Sequence, residues 1–328
     1  MTVPAGEETL ASLGESAVLR RIFPRLPDAA LALIGPGDDA AVLAAPDARY
    51  VVTTDTMVHG PDFRLAWSTA HDLGWKAAAS NLADVAAMGA VPTALLVAVV
   101  APEGTAVTFL EELADGLRDA CTALAPGCGV AGGDLSVSDR MVIAVTAFGD
   151  LEGRAPVLRS GARPGDVVAV SGDLGLAAEG LELLFAHGVD AVGAPSAARA
   201  AELRESHPAA LMAQLSPRPP LADGVAAALA GATAMLDVSD GLAIDARRIA
   251  DASGVALDLD SDAVGSPRAL TGGEDHTLLA AFPAGVAMPG GFRAIGIVRT
   301  GEGLLVDGRP YDHRGGWDPY ADWDGAAG

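Results

Sequence analysis

Short runs rich in branched aliphatic residues alternate along the chain with longer Ala- and Leu-rich stretches of helical spacing. That alternation predicts a mixed α and β protein. Residues 50–54 (YVVTT) and 94–100 (ALLVAVV) read as strands flanking a helix over residues 69–88. Thr69 and Asp72 have capping-box spacing, with Asp in place of the usual Glu or Gln, and Gly89 sits where a helix stops. On that helix Asp72, Lys76, Ser80 and Asp84 recur every four residues and share one face, beside the apolar Leu73, Ala77 and Val85. A second helix is predicted over 107–124, with strands near Val130 and over 141–148. After a Gly-, Pro- and Arg-rich stretch at 150–166, a second series begins. It comprises a strand at 167–171, a turn at 172–175, helices to about residue 230, a strand at 234–238, a helix at 242–253, and strands near 255–259, 277–282 and 292–298.

A chain of 328 residues suggests about two domains, and the stretch after residue 150 divides it into 1–150 and 151–328. Half the residues are hydrophobic but only 4% aromatic, so small and branched aliphatics must fill the cores. The net charge of −22 argues against nucleic acid and anionic membranes as partners, and suits divalent cations where carboxylates converge. Two cysteines, Cys121 and Cys128, make neither a disulfide framework nor a zinc motif and read as reduced thiols. The first residues are acidic and lack the apolar run of a signal peptide, and the uncharged stretch 85–102 is broken by Gly89 and Pro92. The expectation is a soluble, cytoplasmic protein.

The candidate chemistry lies in acidic residues at turns and strand ends. They are Gly37-Asp38-Asp39, Thr53-Thr54-Asp55-Thr56, Asn81 with Asp84, Gly132-Gly133-Asp134 after a strand, Asp237-Val238-Ser239-Asp240-Gly241, and Gly272-Gly273-Glu274-Asp275. Each alone reads equally as an acidic turn, a strand-end cap or a helix N-cap. Their recurrence is what matters. Two bare carboxylates 4 Å apart repel by roughly 1 kcal/mol in water and about 4 kcal/mol at an effective dielectric of 20. A convergent set therefore implies bound divalent ions, and Mg²⁺ with a nucleoside triphosphate is the common case. The P-loop, protein-kinase, G-x-S-x-G and H-E-x-x-H signatures are absent, and the six histidines show no ligand spacing.

In order, GDDAAVL (37–43), TTDTMVHGPDF (53–63), KAAASNLADVAAMGA (76–90), GGD (132–134), RSGARPGD (159–166), DVSDGL (237–242) and GGED (272–275) resemble the thiamine-monophosphate kinase family, within the aminoimidazole ribonucleotide synthetase-like superfamily. The resemblance implies a two-domain α/β synthetase-like fold. Its N-terminal domain would bind ATP and Mg²⁺ and form a β-barrel across a homodimer, and its C-terminal α/β domain would complete the nucleotide and substrate site. It implies transfer of the γ-phosphoryl of ATP to thiamine monophosphate, with several Mg²⁺ ions. Carried over by position, Asp39, Thr53, Thr54, Asp55, Asp84, Asp134, Asp237 and Asp240 would be metal ligands, with Asp55, Asp84 and Asp237 essential to catalysis. Gly133, Asp134, Arg159 and Ser239 would contact nucleotide, and Glu274 and Trp317 would contact the thiamine moiety. Asp62 stands where the family usually has a substrate-contacting histidine. The expectation is that Asp62 faces the cationic thiazolium while His59 covers the phosphate end. The alternatives are another ATP-using synthetase of the superfamily or an inactive nucleotide-binding relative. Selenophosphate synthetase is disfavoured because the first 60 residues contain no Cys or Lys.

Overall fold

The computed structural model describes residues 7–36 and 40–316; the C-terminal tail, read from sequence as loosely held, lies outside the described residues. Two short helices, α1 (Leu10–Leu13) and α2 (Glu15–Ile22), precede an antiparallel pair, β1 (Ala32–Ile34) and β2 (Val42–Leu43). There follow β3 (Val51–Val58), α3 (Ala70–Ala87), β4 (Val91–Ala101), α4 (Val107–Leu124), β5 (Gly129–Val137) and β6 (Val142–Asp150). The second series runs β7 (Val167–Ser171), α5 (Leu176–His187), α6 (Ala197–Ser206), α7 (Pro208–Leu215), α8 (Leu221–Leu229), β8 (Ala234–Val238), α9 (Leu242–Ser253) and β9 (Ala256–Leu259). It closes with α10 (Ser261–Val264), α11 (Pro267–Thr271), β10 (Thr277–Phe282), β11 (Phe292–Arg299), β12 (Gly303–Val306) and β13 (Arg309–Pro310).

Two sheets carry the architecture. A four-stranded sheet has the order β3-β6-β4-β5, parallel only between β4 and β5. One face is covered by α3 and α4, whose Leu73, Leu82, Val85, Leu110, Leu113 and Leu117 pack on Leu95, Val97, Ile143 and Val145. The other face carries Val52, 60% exposed, with Thr54 and Thr56. The seven-stranded sheet has the order β13-β12-β9-β11-β7-β10-β8. Its β10 and β8 are buried along their whole length, which suits their largely apolar sequences, TLLAAF and AMLDV, in which Asp237 is the one charged residue. The mixed α/β class is as expected from the alternating pattern.

Two readings need correction. The T-T-D-T run does not end a strand; it lies inside β3, which continues to Val58 and pairs with β6 throughout. Gly132-Gly133-Asp134 lies inside β5, not after it. Here glycine permits close pairing, because a Cβ on Gly133 would strike the Val97 carbonyl of β4. The uncharged stretch 85–102 divides as expected into a helix end and a strand: α3 ends at Ala87, and β4 starts at Val91 and takes Pro92 at an irregularity in its register.

Of the helices α3 is the most enclosed, and small residues make that possible. Gly74 backs onto the Leu113 carbonyl of α4, and Gly116 of α4 backs onto the His71 carbonyl. Thr69 and Asp72 form the capping box that starts α3. Gly74→Ala and Gly116→Ala should each cost roughly 1–3 kcal/mol, because the new methyl meets rigid backbone. Gly104→Ala, which meets nothing within 4 Å, should be near neutral. Thermal melts of the three variants check this.

Candidate active site

The polar stripe of α3 faces the second half of the chain, and each member finds a partner. Asp72 takes hydrogen bonds from Arg204, Thr69 and Ser216. Lys76, 6% exposed, pairs with Glu274 and donates to the Gln214 carbonyl at 3.1 Å. Ser80 donates to the Lys76 carbonyl and lies 3.1 Å from Nε2 of His276. Asp84 accepts from the Thr53 hydroxyl at 2.8 Å. Off the stripe, Asn81 accepts the backbone N–H of Asp55 at 3.0 Å through its Oδ1 and anchors its own amide nitrogen on the Ala77 carbonyl. The sheet edge is thereby tied to the helix at the residue that carries a candidate carboxylate.

Asp55, Asp84 and Asp237 act on one another electrostatically. Burial, then the charges of Asp237 and Asp55, push the Asp84 carboxyl up to about 7. Burial, then Asp237, raises Asp55 as well. Asp237, 6% exposed near the end of β8, pairs with Nδ1 of His276 at 3.2 Å. Burial works against charge on His276, but the hydrogen bond and charge of Asp237 outweigh it and raise the imidazole. Since the Ser80 hydroxyl already donates to Lys76, it accepts from Nε2–H of His276, which fixes the ring. Among the described residues, no three His, Cys, Asp or Glu side chains stand ready as a metal cage.

Two loops are zipped together behind Asp237. The Glu274 N–H donates to the Ser239 carbonyl at 2.7 Å, and the His276 N–H to the Val238 carbonyl at 2.9 Å. Glu274 and His276 both hold left-handed backbone conformations, φ 68° and 50°, uncommon for side-chain-bearing residues and frequent at functional sites. Asp245, fully buried, accepts the N–H groups of Asp240 and Gly241 at 3.2 Å and so pins the D-V-S-D-G turn. Arg248 spans Asp245 and Asp240. Asp275 instead caps α5 through the N–H groups of Gly175 and Ala177.

Two clefts adjoin these groups. A wide one of about 1510 Å³ is lined by Thr53, Asp84, Asp237 and Arg159 among others. Arg159 is exposed and makes no ion pair among the described residues. A narrower one of about 780 Å³ is lined by Asp62, Phe63, Trp67, Phe185, Gln214 and Glu274. The Arg64 guanidinium lies over the Trp67 and Phe185 rings at 4.6 and 4.7 Å, closing an aromatic wall. Lys76 and the hydrogen bond from Gln214 hold Glu274 below its ordinary range, against the effect of burial.

The structure therefore brings together Thr53, Asp55, Asp84 and Asp237, with Ser239 and Asp240 on the adjoining turn, and sets Arg159 and Glu274 in the two clefts. Other nominated residues fall elsewhere. The Thr54 side chain lies on the opposite sheet face, in hydrogen bonds with Val145 and Thr146. Gly133 and Asp134 lie on β5, three strands from β3, about 14 Å at roughly 4.8 Å per strand. They line a separate, mainly apolar cavity of about 560 Å³ with Pro36, Leu19 and Leu113. Asp62 does line the narrower cleft, though its carboxylate also accepts the Val58 N–H at 2.7 Å. His59, by contrast, turns inward onto Phe63, its Nε2 buried, and is not part of that lining. Asp39 and Trp317 lie outside the described residues. Sequence reasoning gave no role to His276, Gln214, Asp245 or Arg248. Lys76 carried a signal: it is the chain's only lysine, on an otherwise largely apolar helix.

Residues 37–151 match the family described as AIR synthase related protein, N-terminal domain. A thiamine-monophosphate kinase of Mycobacterium tuberculosis is 43% identical over 334 residues, covering 96% of this chain and 94% of the relative. The crystal structure of thiamine-monophosphate kinase from Stenotrophomonas maltophilia superposes with a TM-score of 0.76 at 31% identity, covering 91% of this chain and 98% of that one. A structure of AaThiL complexed with AMPPCP and TMP gives a TM-score of 0.71 at 32% identity over 85% of this chain and 90% of that one. With identity of this order sustained along almost its whole length, the chain belongs to the thiamine-monophosphate kinase family.

Proposed function

We propose that the protein phosphorylates thiamine monophosphate to thiamine diphosphate with ATP, by direct in-line transfer. The observation that carries this reading is that Asp84, Asp237 and Thr53 line a wide cleft, with Asp55 in electrostatic reach of both carboxylates, two helical turns along α3 from a narrower aromatic one. A phosphate-monoester acceptor is already anionic at neutral pH, so no strong base is required; the work is to align two anions and neutralise them. The donor set suits a hard divalent cation: carboxylate and hydroxyl oxygens, two of the carboxyls raised by burial first and then by the neighbouring charge of Asp237. Asp55, Asp84, Asp237 and Thr53 would hold Mg²⁺, which when bound supplies positive charge to the phosphates. Asn81 fixes the backbone at Asp55, His276 orients Asp237, and Asp245 holds the Ser239-Asp240 turn. Arg159 offers its guanidinium to the polyphosphate, and the Glu274 carboxylate with the aromatic wall suits the flat, cationic thiamine moiety.

This reading extends to assembly. Asp134 cannot join the other carboxylates within one chain, and the sheet face bearing Val52 is open. A two-fold homodimer that closes the two four-stranded sheets into a barrel would cover that face and bring β5 of one copy towards β3 of the other. We place the division of labour near residue 150: the N-terminal part for dimerisation, ATP and Mg²⁺, the C-terminal part to complete the nucleotide and substrate site. Among the described residues no helix is long and apolar enough to cross a membrane, and a cytoplasmic location fits the substrates.

Three outcomes follow from this arrangement. Asp55→Asn, Asp84→Asn and Asp237→Asn should stay folded by circular dichroism and lose phosphoryl transfer by orders of magnitude, and EDTA should silence the parent. Full activity in EDTA, or in two of the variants, would defeat the reading. A second outcome concerns pH. Folding raises the Asp84 carboxyl to about 7, so the folded state favours its protonated form, and ionisation between about pH 4 and 7 costs stability. In EDTA, the melting temperature of Asp84→Asn should therefore rise relative to the parent between pH 5 and 8, and Mg²⁺ should narrow the gap. Finally, mixing inactive Asp134→Asn and Asp55→Asn subunits should restore activity in heterodimers if Asp134 serves the partner's site. Sedimentation as a 32.8 kDa monomer at micromolar concentration would rule that out.

A further inference from the structure

One buried polar atom beside the narrower cleft has no partner among the described residues. Gln214 is 5% exposed and lines this cleft, yet its Oε1 is buried without a hydrogen bond among the described residues. The rest of the residue is fully committed. Its Nε2 donates to Oε2 of Glu274 at 3.0 Å, and its backbone carbonyl accepts from Lys76 at 3.1 Å. The amide orientation follows from chemistry. Glu274 is a carboxylate paired with Lys76, so rotating the amide would set two oxygens together and leave an NH₂ without an acceptor. Oε1 is thus a fixed acceptor awaiting a donor, and an unpaired buried carbonyl is costly enough that a ligand supplying one gains markedly. The same cleft is lined by the rings of Phe63, Trp67 and Phe185, the last two faced by the Arg64 guanidinium, and by the half-buried Glu274. These features together describe a planar heterocycle bearing an amino group, close to a positive charge.

We propose that Gln214 reads the 4′-amino group of the substrate's aminopyrimidine ring, which sits against the aromatic wall with the phosphate end directed towards Asp84. The assignment rests on the kinase reading above. It sets the direction of the substrate along α3: Lys76 and Asp84 are eight residues apart, about 12 Å at 1.5 Å per residue, room for the length of the molecule between ring and phosphate. Gln214 is a specificity-determining residue here. Lys76 acts behind it, holding Glu274 charged so that the amide cannot turn over.

The test compares thiamine with oxythiamine, in which an oxygen replaces the 4′-amino group, and their monophosphates. Wild-type protein should prefer thiamine monophosphate in kcat/KM by on the order of 10- to 100-fold, the value of one buried donor. Gln214→Met, close in volume, should lose most of that preference, with its KM for thiamine monophosphate raised and kcat little changed. Gln214→Met that keeps the wild-type preference would overturn the proposal. So would wild-type protein that uses both monophosphates equally, a result that does not depend on the variant folding. Calorimetric binding of unphosphorylated thiamine and oxythiamine, without ATP, separates the two readings. Preference for thiamine without any phosphorylation would keep the subsite and discard the kinase. Phosphorylation without preference would do the reverse.

Discussion

Burying charged groups along one helix is unfavourable by several kcal/mol per ion unless each is answered by hydrogen bonds and opposite charge. On α3 the four polar stripe residues are answered by four different segments of chain: Arg204 and Ser216, Glu274 and the Gln214 carbonyl, His276, and Thr53. Three of these segments belong to the second half of the molecule. The stripe therefore dictates how the two sheets dock, and the docking assembles the site. The same contacts that satisfy α3 place Asp84 within electrostatic reach of Asp55 and Asp237.

The close fit of α3 depends on what its sequence lacks. Alanines and Gly74 on the helix, with Gly116 and Gly224 on its neighbours α4 and α8, let backbones approach where larger side chains would hold them apart. A helix seated that tightly presents polar groups with little freedom, which is what a site built on charge alignment needs. Strain is concentrated nearby, in the left-handed Glu274 and His276, where loop and turn are locked by backbone hydrogen bonds.

Much of this was legible in the residues. The 3.6-residue period located α3 and its capping box, and the four-residue recurrence of Asp72, Lys76, Ser80 and Asp84 identified the shared face. The succession of strands and longer helices from residue 167 to 299 followed from local pattern, but the short α10 and α11 did not. Pairing was not legible. Glycines at 132 and 133 read as punctuation, because only the tertiary contact with Val97 shows that a close-packed strand needs them. Position in the family pattern nominates Thr53 and Thr54 together as ligands, although the strand expected over 50–54 runs through both, and strand alternation sends their side chains to opposite faces. His276 and Gln214 carry no spacing signal at all; they matter because distant segments bring them to α3. Asp134 shows the limit of motif order, since residues adjacent in a family pattern need not be adjacent in one chain.

The central claim is that a phosphoryl group passes from ATP to thiamine monophosphate across this cluster. A single-turnover reaction of the protein with ATP labelled in its γ-phosphate, Mg²⁺ and thiamine monophosphate tests it most directly. The account predicts that label appears on the terminal phosphate of thiamine diphosphate, in amounts matching ADP formed, and not in inorganic phosphate. Label released only as inorganic phosphate, with thiamine monophosphate left unchanged, would contradict it.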